Sequence, residues 1–475
     1  MIPKIPSWLT RKIIPRWKNP RILSPWQRRV SRAFKAILLL LLGWFLVWRG
    51  TLFWRVHEQF GALRTAGIPA SGKELNSWYA HVPENENAAI PLLEAFSLAR
   101  NFSDSRSNQI AEATLLDRRQ HWSAETRKLV SDFVEMNSAS LTKARQAVQL
   151  PKCRYPIDLS YGPDADLPHL AELKTLARCA ALRAALAAEV GQDKQWAPDI
   201  QLMLQLAASL DSEPILISQL VRNSIIKMAC QSTERALASH GVDEATAAIL
   251  ERSFAGVSMT NQLRLALIGE RAINIPVFRM SWAEIQQRSK SEIDTAREKR
   301  TPLAGKPAIL FWLTGWFEID LEFFLTAMET NISLAGCSPP ASLAMTDAAE
   351  QLRMKSNRRV GLYSGILLPA YSKSAVRDAT TQAWIRLAWM VLAFERFRLG
   401  RHRLPETLND LTPDFLPFVP LDPFDGKPLR YHSLSAGYVV YSVDEDGNDD
   451  SGRERPERKK SRDLTTYDLT FTIER

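Results

Sequence analysis

The chain has 475 residues, 45% of them hydrophobic, a net charge of +9 and four cysteines. It is too long for one ordinary compact domain and too apolar for disorder throughout. Twelve Lys or Arg residues lie between Met1 and His57 with no acid before Glu58, so the remainder carries about −3, and no nucleic acid is expected as a partner.

The basic stretch, residues 1–32, leads into an apolar run from Ala36 to Trp48 that contains no charge. A helix over residues 33–54 covers roughly 33 Å, enough for a hydrocarbon core of about 30 Å. Lys35 and Arg49 are placed to snorkel toward headgroups, and Trp44, Trp48 and Trp54 favour a membrane interface. By the positive-inside rule, ten Lys or Arg residues among the first 35 hold the N-terminus in the cytoplasm. The expectation is a single-pass protein of the cell inner membrane, with the bilayer as its first partner and everything after Trp54 extracytoplasmic. A cleaved signal peptide fits less well, because the basic region is too long and no small-x-small site immediately follows the run. A buried core helix or an interfacial helix is the competing reading.

Residues 55–375 read as a helical domain. The plainest helix is expected to start at a cap on Asp166, to tolerate Pro168 in its first turn, to repeat Leu170, Leu173, Ala177, Ala180 and Ala184 on one face, and to stop at Gly191. A second runs from about Pro198 to Leu210. Asp211 to Pro214 then opens a third through Ile217, Leu220, Val221, Ile225 and Met228. Segments near 243–255 and 260–273 continue the pattern, and short connections predict an array of antiparallel helical hairpins. Pro307 to Met328 is apolar at first, but Glu318, Asp320 and Glu322 oppose a second span and favour a buried helix. Gln286 to Arg300 reads as a solvated helix or linker. Cys153, Cys179, Cys230 and Cys337 include no C-x-x-C pair, so they are small buried hydrophobes or, outside the cytoplasm, disulfide partners in one of three pairings.

Residues 376–475 change character. A helix through Trp384, Leu387, Val391, Phe394 and Phe397 is expected to end at Gly400. Strands follow at about 429–433, 438–443 and 468–473, giving a small antiparallel sheet against one helix. The fold class is therefore mainly α, a helical hairpin array, with one N-terminal transmembrane helix and a small C-terminal α+β module.

Gly400, Pro405 and Leu408, the turn Asp422, Pro423, Phe424 and Gly426, the strand end Tyr441 and Ser442, and the loop residues Asp446 and Gly447 stand in a recognisable order. In that order the module resembles the C-terminal globular region of the major pseudopilins of type II secretion. The resemblance covers about the last hundred residues and implies a calcium site in the acidic loop, where Asp444, Asp446, Asn448, Asp449 and Asp450, with Asp468 beyond, offer hard oxygen ligands. The spacing is not that of an EF-hand, and the family's second acidic cluster is replaced by the mainly basic stretch Arg453 to Arg462. A solvated acidic turn is the competing reading. The family's N-terminal leader and its glutamate within the membrane helix are absent from the anchor, which argues against processing and polymerisation as a pilus subunit.

No nucleophile-elbow, dinucleotide, Walker A or HExxH signature is present. Ser140 with Lys143 and Ser224 with Lys227 match S-x-x-K without its companion elements. His169 and His402 stand singly, and Glu270 with Arg271, or Glu318, Asp320 and Glu322, fit structural ion pairs better than a carboxylate site. The irregular stretch Pro151 to Pro168, with Cys153, Tyr155, Asp158 and Tyr161, is long enough to line a groove. The functional expectation is a non-enzymatic anchored protein presenting surfaces to other envelope proteins, secretion or pilus-type machinery among them. An anchored hydrolase of envelope polymers is the alternative.

Overall fold

The structure, a computed structural model, describes residues 25–102, 105–114, 118–191, 196–239, 241–280, 314–355, 363–455 and 466–474. The chain divides into two compact units, Met1–Glu58 and Gln59–Arg475. The expected segment Gln286 to Arg300 and the start of the Pro307 stretch lie outside the described residues.

In the first unit the apolar run belongs to helix α1, Pro25–Thr65, longer at both ends than the 33–54 expected. Mean hydropathy reaches 1.9 over its most apolar 18 residues, and Leu38 to Leu42, Trp44, Leu46 and Val47 are all exposed. The protein itself leaves these apolar side chains uncovered, so the run is not a core helix of the folded unit. Among the described residues this is the one helix long and apolar enough to cross a membrane.

The second unit begins within the last turns of α1. Helices α2 (Gly72–Trp78), α3 (Ala89–Leu98), α4 (Arg106–Thr114), α5 (Ala124–Met136) and α6 (Ser138–Ala147) are short. Ser71 and Ser123 cap α2 and α5 by accepting from the backbone N–H of Glu74 and Thr126. The central helices are α7 (His169–Glu189), α8 (Ala197–Ala208) and α9 (Leu216–Ser239), each packed on the other two. Seven alanines from Ala177 to Ala188 are buried on α7, and their small side chains let its neighbours approach closely. Helix α7 begins later than expected: Pro168 is its N-cap, with no side-chain cap, so Asp166 does not perform that role. Gly191 does mark the stop, at φ +70°.

Helices α10 (Glu244–Ala255) and α11 (Gln262–Asn274) follow, α10 capped by Asp243. Gly269 on α11 meets the chain between α8 and α9 so closely that a Cβ there would stand 1.6 Å from the Pro214 carbonyl oxygen. Only glycine permits that crossing. Next come α12 (Trp316–Ala335), α13 (Ala341–Ala344), α14 (Thr346–Lys355), α15 (Ser364–Leu367) and α16 (Tyr371–Arg401). The last is about 46 Å long at 1.5 Å per residue. It starts at Tyr371, before the expected change of character at residue 376, and runs past Gly400, because His402 adopts the left-handed conformation that closes it and donates its backbone N–H to the Arg398 carbonyl.

Strands β1 (Arg430–Leu434), β2 (Gly437–Ser442) and β3 (Leu469–Glu474) form an antiparallel meander within a residue of the expected positions. Arg430 pairs with Tyr441 and Ser442 with Leu469. Helix α16 packs on α9 and α10 with one face and on β2 and β3 with another. One hydrophobic core thus runs from Ala88 and Leu92 through Leu387 and Phe394 to Phe471 and Ile473. No division between compact units falls at the expected 375/376 boundary, because α16 is shared core for both sides.

Candidate functional site

The turn after the long helix organises the acidic loop. Gly426, at φ +74°, donates its N–H to the Asp422 carbonyl and closes the turn. The Asp422 carboxylate is fully buried: one oxygen accepts from Phe424 N–H and the Ser442 hydroxyl, both at 2.9 Å, and the other from Val443 N–H at 3.0 Å. This stitches the turn to the end of β2 and brings together Asp422, Gly426 and Ser442, three of the positions that carry the resemblance.

Arg430, at the start of β1, supplies the charge that balances these acids. Its guanidinium donates to Asp425 at 2.6 Å, Asp449 at 2.9 Å and Asp422 at 3.2 Å. The β1–β2 register sets it beside Tyr441, whose hydroxyl donates to the other Asp449 oxygen at 3.2 Å. Although burial pushes Asp449 up, the Ser451 N–H, Arg430 and Tyr441 outweigh it and hold the carboxyl below its ordinary range.

The six expected calcium ligands do gather in and beside one loop, but their oxygens are largely committed. Asp446 accepts from Asn448 N–H at 2.9 Å, Asp450 from the Thr466 hydroxyl at 3.0 Å, and Asp444 pairs with Arg455 at 3.5 Å. Asp468 accepts from Gly452 N–H at 2.7 Å and Asp450 N–H at 3.4 Å. One oxygen of Asp450 is buried without a hydrogen-bond partner, a single orphan where calcium takes six to eight oxygens. Among the described residues no group of three or more His, Cys, Asp or Glu is placed to hold a metal ion. The donor set does not fit calcium, because Arg430 holds Asp449, Arg455 holds Asp444, and the other carboxylates are turned to backbone and hydroxyl donors. Sequence reasoning missed Arg430: its partners come from two separate turns, and only the strand register brings them to it.

A polar groove of about 570 Å³ lies where this module meets the helices. Asp444, Glu445 and Asp468 line it from the loop side, Lys227 and Gln231 from α9, and Arg377 and Trp384 from α16. Burial raises both Asp444 and Asp468 above the usual carboxylate range, in Asp468 reinforced by Asp449 and Asp450. Lys227 sits 6.0 Å from the Trp384 ring, and neither it nor Arg377 has a carboxylate within 4 Å among the described residues. Nearby, Glu234 accepts from Thr472 N–H at 2.7 Å and Arg118 pairs with Glu454 and Glu474. Asp444 and Glu454 are thus bound to arginines, and Glu234 and Asp468 to backbone donors.

The remaining expected residues are structural. Ser140 donates to the Ala95 carbonyl and Lys143 pairs with Glu94; Ser224 donates to Val221. Glu270 accepts from Leu216 N–H at the start of α9, Arg271 pairs with Glu329, and Asp320 accepts from Tyr363 N–H and the Ser364 hydroxyl. The 151–168 stretch closes a buried cluster rather than lining a groove: Tyr155 stacks on His169 at 4.2 Å, and His169 bonds Glu213 at 3.0 Å. Cys153, Cys179 and Cys230 are buried free thiols, each pushed up by burial, and Cys337 is exposed and free. No family model, curated protein or solved structure matches this chain.

Proposed function

We propose that the chain is a single-pass envelope membrane protein, N-terminus cytoplasmic, whose helical body carries a pseudopilin-like module as a recognition head for other envelope proteins, secretion or pilus-type machinery among them. The observation that carries this reading is α1, one apolar helix with lipid-compatible faces all round, standing between a basic segment and a large folded unit. The module supports it through the Asp422–Ser442 stitch, the Gly426 turn and the helix-then-meander order, which fit the residues of the resemblance. The acids engaged by arginines and backbone donors favour binding over the hydrolase alternative.

Reporter fusions after Lys35, after Gly61 and at Arg475, combined with carbonate extraction, test the reading. An external C-terminus and resistance to extraction are expected. A cytoplasmic C-terminus or release by carbonate overturns it.

A further inference from the structure

A second cavity, of about 280 Å³, opens on a different face of α16 from the polar groove. Its floor is the stripe Tyr371, Ala375, Asp378, Gln382, Ile385 and Trp389, recurring at three- and four-residue spacing along one side of the helix. Met259 and Leu263, where α10 passes into α11, form one wall, and the turn through Cys337 and Pro339 after α12 forms the other. The walls are mostly apolar or aromatic, and the size is at the low end for ligand pockets, suited to a small molecule or a single side chain.

Asp378 is the acid in this cavity. It accepts from Gln382 at 3.1 Å and is hydrogen-bonded by Asn223, yet among the described residues no cation lies within 4 Å of it. The positive groups that face it from neighbouring elements are committed elsewhere. Arg222 on α9 is held by Asp211 at 2.5 Å, by the Ser258 carbonyl and by the Met259 sulfur at 3.1 Å. Arg386, two turns along α16, donates to the Leu421 carbonyl at 2.7 Å and to Gln382 at 3.3 Å, near buried Asp422. Cys337 faces it from the turn. The Tyr371 hydroxyl, close to both Asp378 and Cys337, is buried with no hydrogen-bond partner.

We infer that this cavity binds an organic cation, a protonated primary amine on a short aliphatic stem, with Asp378 receiving the ammonium, Tyr371 and Trp389 contacting it through their rings, and Met259, Leu263 and Ile385 covering the stem. A carboxylate largely withdrawn from water with no ion-pair partner among the described residues is costly, and a ligand that supplies the cation and excludes water removes that cost. Burial raises Asp378 to about 6, against the hydrogen bond from Gln382 and the nearby charge of Arg222, so the site is charged and receptive at neutral pH and loses its cation below that value.

Titration calorimetry on the full chain in non-ionic detergent, with n-butylamine, butan-1-ol and butyrate as probes, tests the assignment. At pH 7.5 butylamine is expected to bind at least about tenfold more tightly than either of the others, and Asp378→Asn to erase that preference. Ala375→Phe, which fills the cavity and keeps the carboxylate, is expected to abolish binding in a protein whose circular dichroism shows it folded. Nα-acetyl-lysine amide separates two sources of the same chemistry: binding equal to that of butylamine identifies a protein lysine, and binding of free butylamine alone identifies a small amine. Equal binding of butyrate, or butylamine affinity unchanged in both variants, overturns the proposal. Topology plays no part in this assay, so it stands or falls independently of the envelope reading.

Discussion

The hydroxyl of Tyr438, on the central strand of the sheet, donates to the buried carboxylate of Glu395 on α16 at 2.7 Å, and Arg398 holds the same carboxylate at 2.9 Å. Tyr438 also stacks on Phe394 with ring centres 5.1 Å apart, so one side chain ties strand to helix by both its face and its tip. Tyr438→Phe keeps the stack and removes the bond. The variant is expected to lose about 1–2 kcal/mol in urea unfolding of the detergent-solubilised chain. An unchanged midpoint would show that Glu395 is satisfied without the Tyr438 hydroxyl.

Gly269 gives a sharper expectation, because a methyl there meets backbone rather than a movable side chain. Gly269→Ala is expected to cost about 3 kcal/mol or more despite alanine's better helix propensity, through displacement of α11 from Pro214. Thermal unfolding beside Gly61→Ala, where nothing lies within 4 Å of the added atom, provides the internal control.

Arg430 and calcium make opposite demands on the same loop. Chelation with EGTA or addition of millimolar calcium is expected to leave the thermal midpoint unchanged, whereas Arg430→Met, stranding Asp422 beside Asp425 and Asp449, is expected to cost about 2–3 kcal/mol. Because Asp449 is held below its ordinary range, the stability it contributes is full above about pH 4 and is lost as pH falls through its lower folded value. A calcium-dependent midpoint in the unsubstituted chain would show that the loop binds the ion despite Arg430.

Asp378 titrates with the opposite sign. Its folded value of about 6 lies above the unfolded one, so its favourable contribution is complete below about pH 4 and disappears as pH rises through 6. Asp378→Asn is therefore expected to raise the thermal midpoint at pH 7.5 and to have little effect at pH 4. Equal shifts at both pH values would place the effect of the substitution in packing rather than charge.

Much of this architecture is legible in the amino-acid order alone. The apolar run, the start signal at Asp211 to Pro214 and the three strands rest on local periodicity and turn chemistry, and each falls on an element of the expected kind. Asp166 shows the limit of local signals: a good capping residue two positions before a proline yields to Pro168. The sites depend on distant pairings that spacing does not encode. Arg430 finds its acids through strand register, and the Asp378 cavity needs three segments from Met259 to Trp389 to enclose it. The length of 151–168 suggested a groove, but Cys153 and Tyr155 turn inward while Tyr161 stays exposed, and burial of Tyr155 against His169 decides the outcome.

Glu234 and Arg118 fasten the sheet to the helices across unusual spans of sequence. Glu234 receives the Thr472 N–H from 238 residues away, and Arg118 meets Glu454 and Glu474 across 336 and 356. Closing loops of that length is entropically slow, and these contacts reward it only at the end. Before the meander docks, α9 and α16 expose the apolar faces that the sheet later covers. The corollary is structural: the helical body is not a self-sufficient core, since its last strand completes the cover of α9 and α16.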